Sequence, residues 1–226
     1  MTKDSVWNQA PLRARSVDAL RLEDRMSLTP GLFSTAAEDT ATHSGEARDT
    51  TGSSTLYRDG VPIASLGSLG RLQTVVPHEK GTYTLTSSGT RKVGWSDLGS
   101  KASATWTFVS ARPAGAEAAD LPLMNVRLGG PVGPSRTVTG GRTYLFTVAA
   151  ERGGKAATRS LGVRVSFDDG RNWRTLEVRR VGDLGFVKLT PPAGGGYVSV
   201  RLTGADTAGS TVDQTVIRSF RVARGR

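Results

Sequence analysis

Cysteine is absent from the 226 residues, and histidine occurs only at His43 and His78. The first absence excludes disulfides and thiolate metal sites while leaving the compartment open. The second makes a zinc centre improbable, because two isolated histidines lack a spaced third ligand. No stretch approaches the ~18 consecutive apolar residues of a membrane helix. No charged-then-apolar leader follows Met1, so no secretion signal is expected within the chain. A phosphate-binding glycine loop is also missing, as is any amphipathic helical pattern of ~10 residues or more. These gaps exclude most chemistry and point to a binding, spacing or stabilising module.

What remains is strand and turn. The 28 Gly and 10 Pro punctuate runs rich in Thr, Val, Ser and Arg, whose β-branched members suit a pleated, half-buried surface. Residues 1–19 form a polar entry segment anchored by Trp7. Residues 20–28 alternate as one strand, with Leu20, Leu22, Met26 and Leu28 sharing a face. A polar stretch, Ser34 to Ser54, reads as an unusually long loop. Asp59-Gly60 between apolar residues predicts a type I′ turn pairing Leu56 with Ile63 and Tyr57 with Pro62. Further strands are expected over 71–76, 82–88 and 102–110, the last placing Ala104, Trp106 and Phe108 together.

Residues 111–122 begin with a stretch of linker composition. Beyond them, seven strand-like runs lie at immunoglobulin-like spacing: 124–128, 143–150, 160–167, 173–178, 185–190, 197–203 and 211–222. The expected fold is all-β. Two consecutive β-sandwiches occupy 1–110 and 123–226, the second immunoglobulin- or fibronectin-III-like.

The net charge of +10 lies wholly in the second half: 13 Lys+Arg balance 13 Asp+Glu through residue 122, and 17 oppose 7 thereafter. Such a field attracts anionic wall or matrix polymers. The arginines, however, alternate with apolar residues along strands, as on a solvated face. Val163 and Val165 oppose Arg164, and Val200 and Leu202 oppose Arg201. Arg164 and Arg201 are the candidates should that face bind a polyanion. Specific nucleic-acid recognition is not expected.

Ser166-x-Asp168-x-Gly170-x-x-Trp173 matches an Asp-box, a hairpin-stapling pattern in which Ser and Asp hydrogen-bond the turn and Trp packs beneath. It occurs once, whereas a propeller repeats it in every blade. His43-Ser44-Gly45 and Asp49-Thr50-Thr51-Gly52 only faintly echo serine-protease motifs, and Ser65–Gly70 is no nucleophile elbow. No catalytic residue is named. Asp168, Asp169 and Asp206 are the only candidates for a loop-bound calcium, and no dense acidic loop supplies the six to eight oxygens needed. No other cofactor is implied. Trp106 and Trp173 are expected in the core.

One ordered set of segments resembles the region downstream of the catalytic domain in large secreted subtilisin-like serine proteases. It comprises Leu56–Gly60, Lys80–Leu85, Ala102–Phe108, Leu121–Leu123, Arg159–Trp173 and Gln214–Phe220. The resemblance implies a secreted, non-catalytic C-terminal accessory region. Its implied partner is a protease catalytic domain, in cis or trans, with protein substrate a further possible contact. The family's Asp, His and Ser motifs have no matching positions.

Overall fold

The computed structural model describes residues 19–33, 49–132, 135–153 and 155–225. Trp7 and His43 lie outside the described residues. No helix occurs among those described, and none is long and apolar enough to cross a membrane. The chain is all-β.

The first half contributes β1 (Ala19–Leu22), β2 (Arg25–Leu28), β3 (Thr50–Arg58), β4 (Val61–Leu66), β5 (Leu72–Val75), β6 (Gly81–Arg91), β7 (Lys101–Ser110) and β8 (Ala119–Asp120). Strands β5-β2-β1-β8 form one sheet, and β4-β3-β6-β7 run side by side in another. Alternation explains the core between them. In β6, Tyr83 and Leu85 point inward while Thr82, Thr84 and Thr86 point out. In β7, Ala104, Trp106 and Phe108 are buried, and Phe108 stacks on Tyr83 at 5.8 Å between ring centroids. Fully burying one such aromatic stabilises the fold by ~1.5–3 kcal/mol.

Three details differ from expectation. Residues 20–28 form a hairpin rather than one strand, reversing at Glu23 (φ 49°). The reversal splits the expected face: Met26 and Leu28 are buried, whereas Leu22 is exposed and Arg21 is buried in β1. The 59–60 turn adopts the positive φ of a type I′ hairpin and pairs Tyr57 with Pro62. Leu56, however, faces Ala64 instead of Ile63, because the ladder slips by one residue between Leu56 and Tyr57, beside a proline with no N–H to offer. The polar loop ends earlier than Ser54, since β3 begins at Thr50 and Ser54 is buried against Ser87, 2.8 Å between hydroxyl oxygens.

The second half contributes β9 (Met124–Gly129), β10 (Thr137–Thr139), β11 (Tyr144–Arg152), β12 (Thr158–Ser166), β13 (Arg174–Leu176), β14 (Arg179–Val181), β15 (Leu184–Leu189), β16 (Gly196–Asp206) and β17 (Thr211–Ala223). Sheet β14-β15-β11-β9 faces strands β13-β12-β16-β17. This is the immunoglobulin arrangement, in which strands A, B, E and D share one sheet and C, F and G the other. Phe146 on β11 stacks on Phe220 of β17 at 5.6 Å across the core.

The last strand also joins the halves. Residues Thr211–Ile217 of β17 pair antiparallel with Thr107–Lys101 of β7, and the two edges fuse into one nine-stranded sheet. Trp106 Nε1 donates to Asn125 Oδ1 at 2.9 Å, and Gln214 Nε2 donates to the Val126 carbonyl at 2.6 Å, beneath the join. Within 111–122, Ala119–Asp120 pairs with β1 and Leu121 is buried.

Candidate functional site: a cleft over the seam

The inner face of the nine-stranded sheet is covered; its outer face is hydroxyl-rich. Register carries Ser53, Ser88, Ser103, Thr215, Arg201 and Arg164 across in one unbroken row. A neighbouring row runs Thr51, Thr90, Lys101, Ile217. Over the β7–β17 seam, Ser88, Ser103, Thr215 and Arg201 of the first row and the whole second row floor an open cleft of about 610 Å³, walled on one side by Asp169, Gly170 and Trp173; Ser53 and Arg164 lie outside it. That volume suits a small-molecule ligand (~300–1,000 Å³).

The wall is the Asp-box hairpin, and its hydrogen bonds explain why it stands where it does. Ser166 Oγ donates to Asp168 Oδ1 at 2.7 Å and accepts from Gly170 N at 2.9 Å. Asp168 accepts from Asn172 N (2.9 Å) and Asn172 Nδ2 (2.7 Å). The Asn172 backbone and side-chain donors, with Ser166, pull the Asp168 carboxyl down to about 2. The central pair Asp169-Gly170 has φ of 57° and 85°. A side chain at 170 would be strained there, and its Cβ would fall 2.9 Å from Ile217 Cδ1.

Trp173 departs from expectation. Instead of entering the core, it is half-buried beside Gly170 and Ile217 and lines the cleft. The cause is that β13 starts only at Arg174, leaving the tryptophan on the hairpin shoulder. Trp106 is fully buried, as expected. Trp95 is exposed, with the Arg91 guanidinium 5.3 Å from its ring.

A salt-bridge chain braces the hairpin. Arg218 donates to Asp169 through Nε (2.9 Å) and Nη2 (2.7 Å) and lies 4.6 Å over the Tyr197 ring. Tyr197 and Arg221 both donate to Asp97, which belongs to the β6–β7 connection of the first half. The Asp97 carboxyl sits below its ordinary range: burial opposes ionisation, and the bonds from Tyr197 and Arg221 outweigh it. Arg218 itself is held at φ 57°, where the β17 ladder slips. Its N–H donates to Ser199 Oγ (3.0 Å) and its carbonyl accepts from Gly99 N (2.9 Å).

The two candidate arginines sit directly opposite each other on β12 and β16. Arg201 is engaged by Asp213 (Nε to Oδ1, 2.8 Å) and touches the cleft, while Arg164 is exposed without a partner among the described residues. Asp206 cannot share an ion with Asp168 and Asp169. It pairs with Thr158 at the other end of β12 from Ser166 and accepts from Ala208 N and Ser210 N. His78 is exposed beside Glu79. Among the described residues the cleft lining holds no histidine.

The cleft floor escaped the sequence reading because it joins strands more than a hundred residues apart. The only available signal was the alternation of Ser and Thr on the outward positions of 82–90 and 101–107.

No protein-family model matches the chain, and no curated protein does. Among solved structures, a chain of the fibronectin(III)-like modules of Clostridium thermocellum CbhA is similar over 90% of this chain and 87% of its own, at 10% identity and a TM-score of 0.31. The immunoglobulin class of the second sandwich rests on its strand order.

Proposed function

We propose that this chain is a non-catalytic binding and accessory module that presents the seam cleft on a rigid, fused sheet. The observation that carries this reading is the β7–β17 join, which turns two sandwich edges into one continuous platform. Exposed edges are ordinarily liabilities; here two are consumed in building a surface. The cleft's hydroxyl, indole and ammonium groups suit ligand contact.

More finely, we place the module downstream of a secreted subtilisin-like serine protease domain, acting on that domain's stability, its substrate contacts or its attachment. The ordered sequence resemblance supports that placement. The test is hydrolysis of casein by the isolated chain, with and without a serine-directed inhibitor. No hydrolysis is expected; hydrolysis abolished by the inhibitor overturns the reading.

A second reading, a stand-alone adhesion, glycan- or polyanion-binding module using the basic second domain, is favoured by one observation: Arg164, without a partner among the described residues, beside Arg201. Polyanion binding weakens steeply with salt, whereas packing of a sandwich on a protease does not.

A further inference from the structure

The cleft contains groups whose bonding capacity the protein leaves unused. Trp173 lines it half-buried, and its indole N–H has no acceptor among the described residues. A tryptophan so placed offers an apolar face and a polar handle, and when enclosed it ordinarily finds a partner. Lys101, at the start of β7, lines the same space, is exposed and has no carboxylate partner among the described residues. Ser88, Ser103 and Thr215, adjacent in one cross-strand row, likewise have hydroxyls without protein partners. The other charges are already spoken for: Asp169 by Arg218, and Arg201 by Asp213. Among the described lining residues, the uncompensated charge is therefore the Lys101 ammonium.

We infer that the cleft binds an acidic saccharide, the C–H face of one ring lying on Trp173, its hydroxyls meeting the Ser88–Ser103–Thr215 row, and its carboxylate or phosphate on Lys101. Each demand of such a ligand has a matching group. An apolar ring face requires a flat partner, and ring hydroxyls require donors and acceptors spread over a surface. One anionic group needs one cation, and the exposed Lys101 ammonium supplies it at the cleft. A purely electrostatic polyanion track requires a stripe of cations and makes no use of an indole. The inference rests on the binding-module reading and is independent of protease attachment.

The test is titration calorimetry on the intact chain with three oligosaccharide classes matched in length: neutral, uronic-acid-bearing, and phosphodiester-linked. The acidic classes are expected to bind, and the stronger of the two identifies the source of the anion. The neutral class should bind at least about tenfold more weakly. Lys101→Gln, a change at an exposed side chain, should weaken acidic binding by about tenfold and leave the melting temperature unchanged. Trp173→Ala should abolish binding, while Trp95→Ala and Arg164→Gln leave it intact. Binding of no class, equal binding of the neutral class, or loss with Arg164→Gln in place of Lys101→Gln overturns the inference. Cleavage of a bound oligosaccharide instead overturns the non-catalytic reading, so the two failures are told apart.

Discussion

Ser166 is a small residue with three hydrogen bonds, and it is 1% exposed. Replacing it with alanine leaves the Gly170 and Asp168 N–H groups without their acceptor. Ser166→Ala is expected to cost about 1–3 kcal/mol, read as a lower urea midpoint at unchanged slope. The carboxylates give a pH signature. Asp168 and Asp183 both titrate in the fold at about 2, the latter because Arg152 and Thr158 donate to it. A depressed folded value stabilises above the unfolded value of about 3.9 and is lost as pH falls toward the folded one. Urea midpoints should therefore drop between about pH 4 and 2, and Asp183→Asn should flatten that fall. A variant with the same pH slope as the parent contradicts the assignment. At this scale the sequence was legible where a motif is local. The Asp-box and the Asp59-Gly60 turn close within a few residues, so their hydrogen-bonded turns were legible, whereas the place of Trp173 and the register beyond Tyr57 were not. Burial of Arg21 could not: its guanidinium donates to the Pro77 carbonyl and to Ser110, partners that only the tertiary fold supplies.

Strands with one buried face announce themselves by alternation, which is why β6, β7, β16 and β17 were expected close to where they lie. β14 was invisible because all three of its residues, Arg179 to Val181, are exposed and no period can show. β10 is equally short and pairs parallel to β17, far from it in sequence. The parity error in 20–28 has the same physical origin, since a tight turn at Glu23 inverts the face without any glycine or proline to mark it. Element packing offers its own test at Gly130. A Cβ there would fall 2.2 Å from Phe146 Cδ1, and Phe146 is the ring that stacks on Phe220. Gly130→Ala should push that pair apart and lower stability by about 1–3 kcal/mol, seen as a reduced melting temperature. An unchanged melting temperature would mean the two sheets are not held by this stack.

Across the whole molecule, one apolar cluster runs from Ala19 and Met26 through Trp106 to Phe220 and Val222. With β7 and β17 paired above it, the two halves should unfold together. Scanning calorimetry is expected to give one transition whose calorimetric and van't Hoff enthalpies agree; two separated transitions would contradict the fused sheet. Pairs such as Arg127–Glu151, Arg152–Asp183 and Arg201–Asp213 lie within the second half and leave its net excess in place, whereas Arg221 reaches Asp97 of the first half. Composition revealed the excess but not the pairing, because the partners meet only across strands. The seam itself lay beyond sequence reasoning: alternation tells which face a residue occupies, never which edge will find which. The proposed accessory role requires a catalytic domain elsewhere in the same protein. Reading the gene around this segment tests that most directly. A subtilisin-like catalytic domain is expected upstream in the same reading frame, carrying that family's Asp, His and Ser motifs. A native start at Met1 with no such domain upstream would contradict it and leave an independent binding protein.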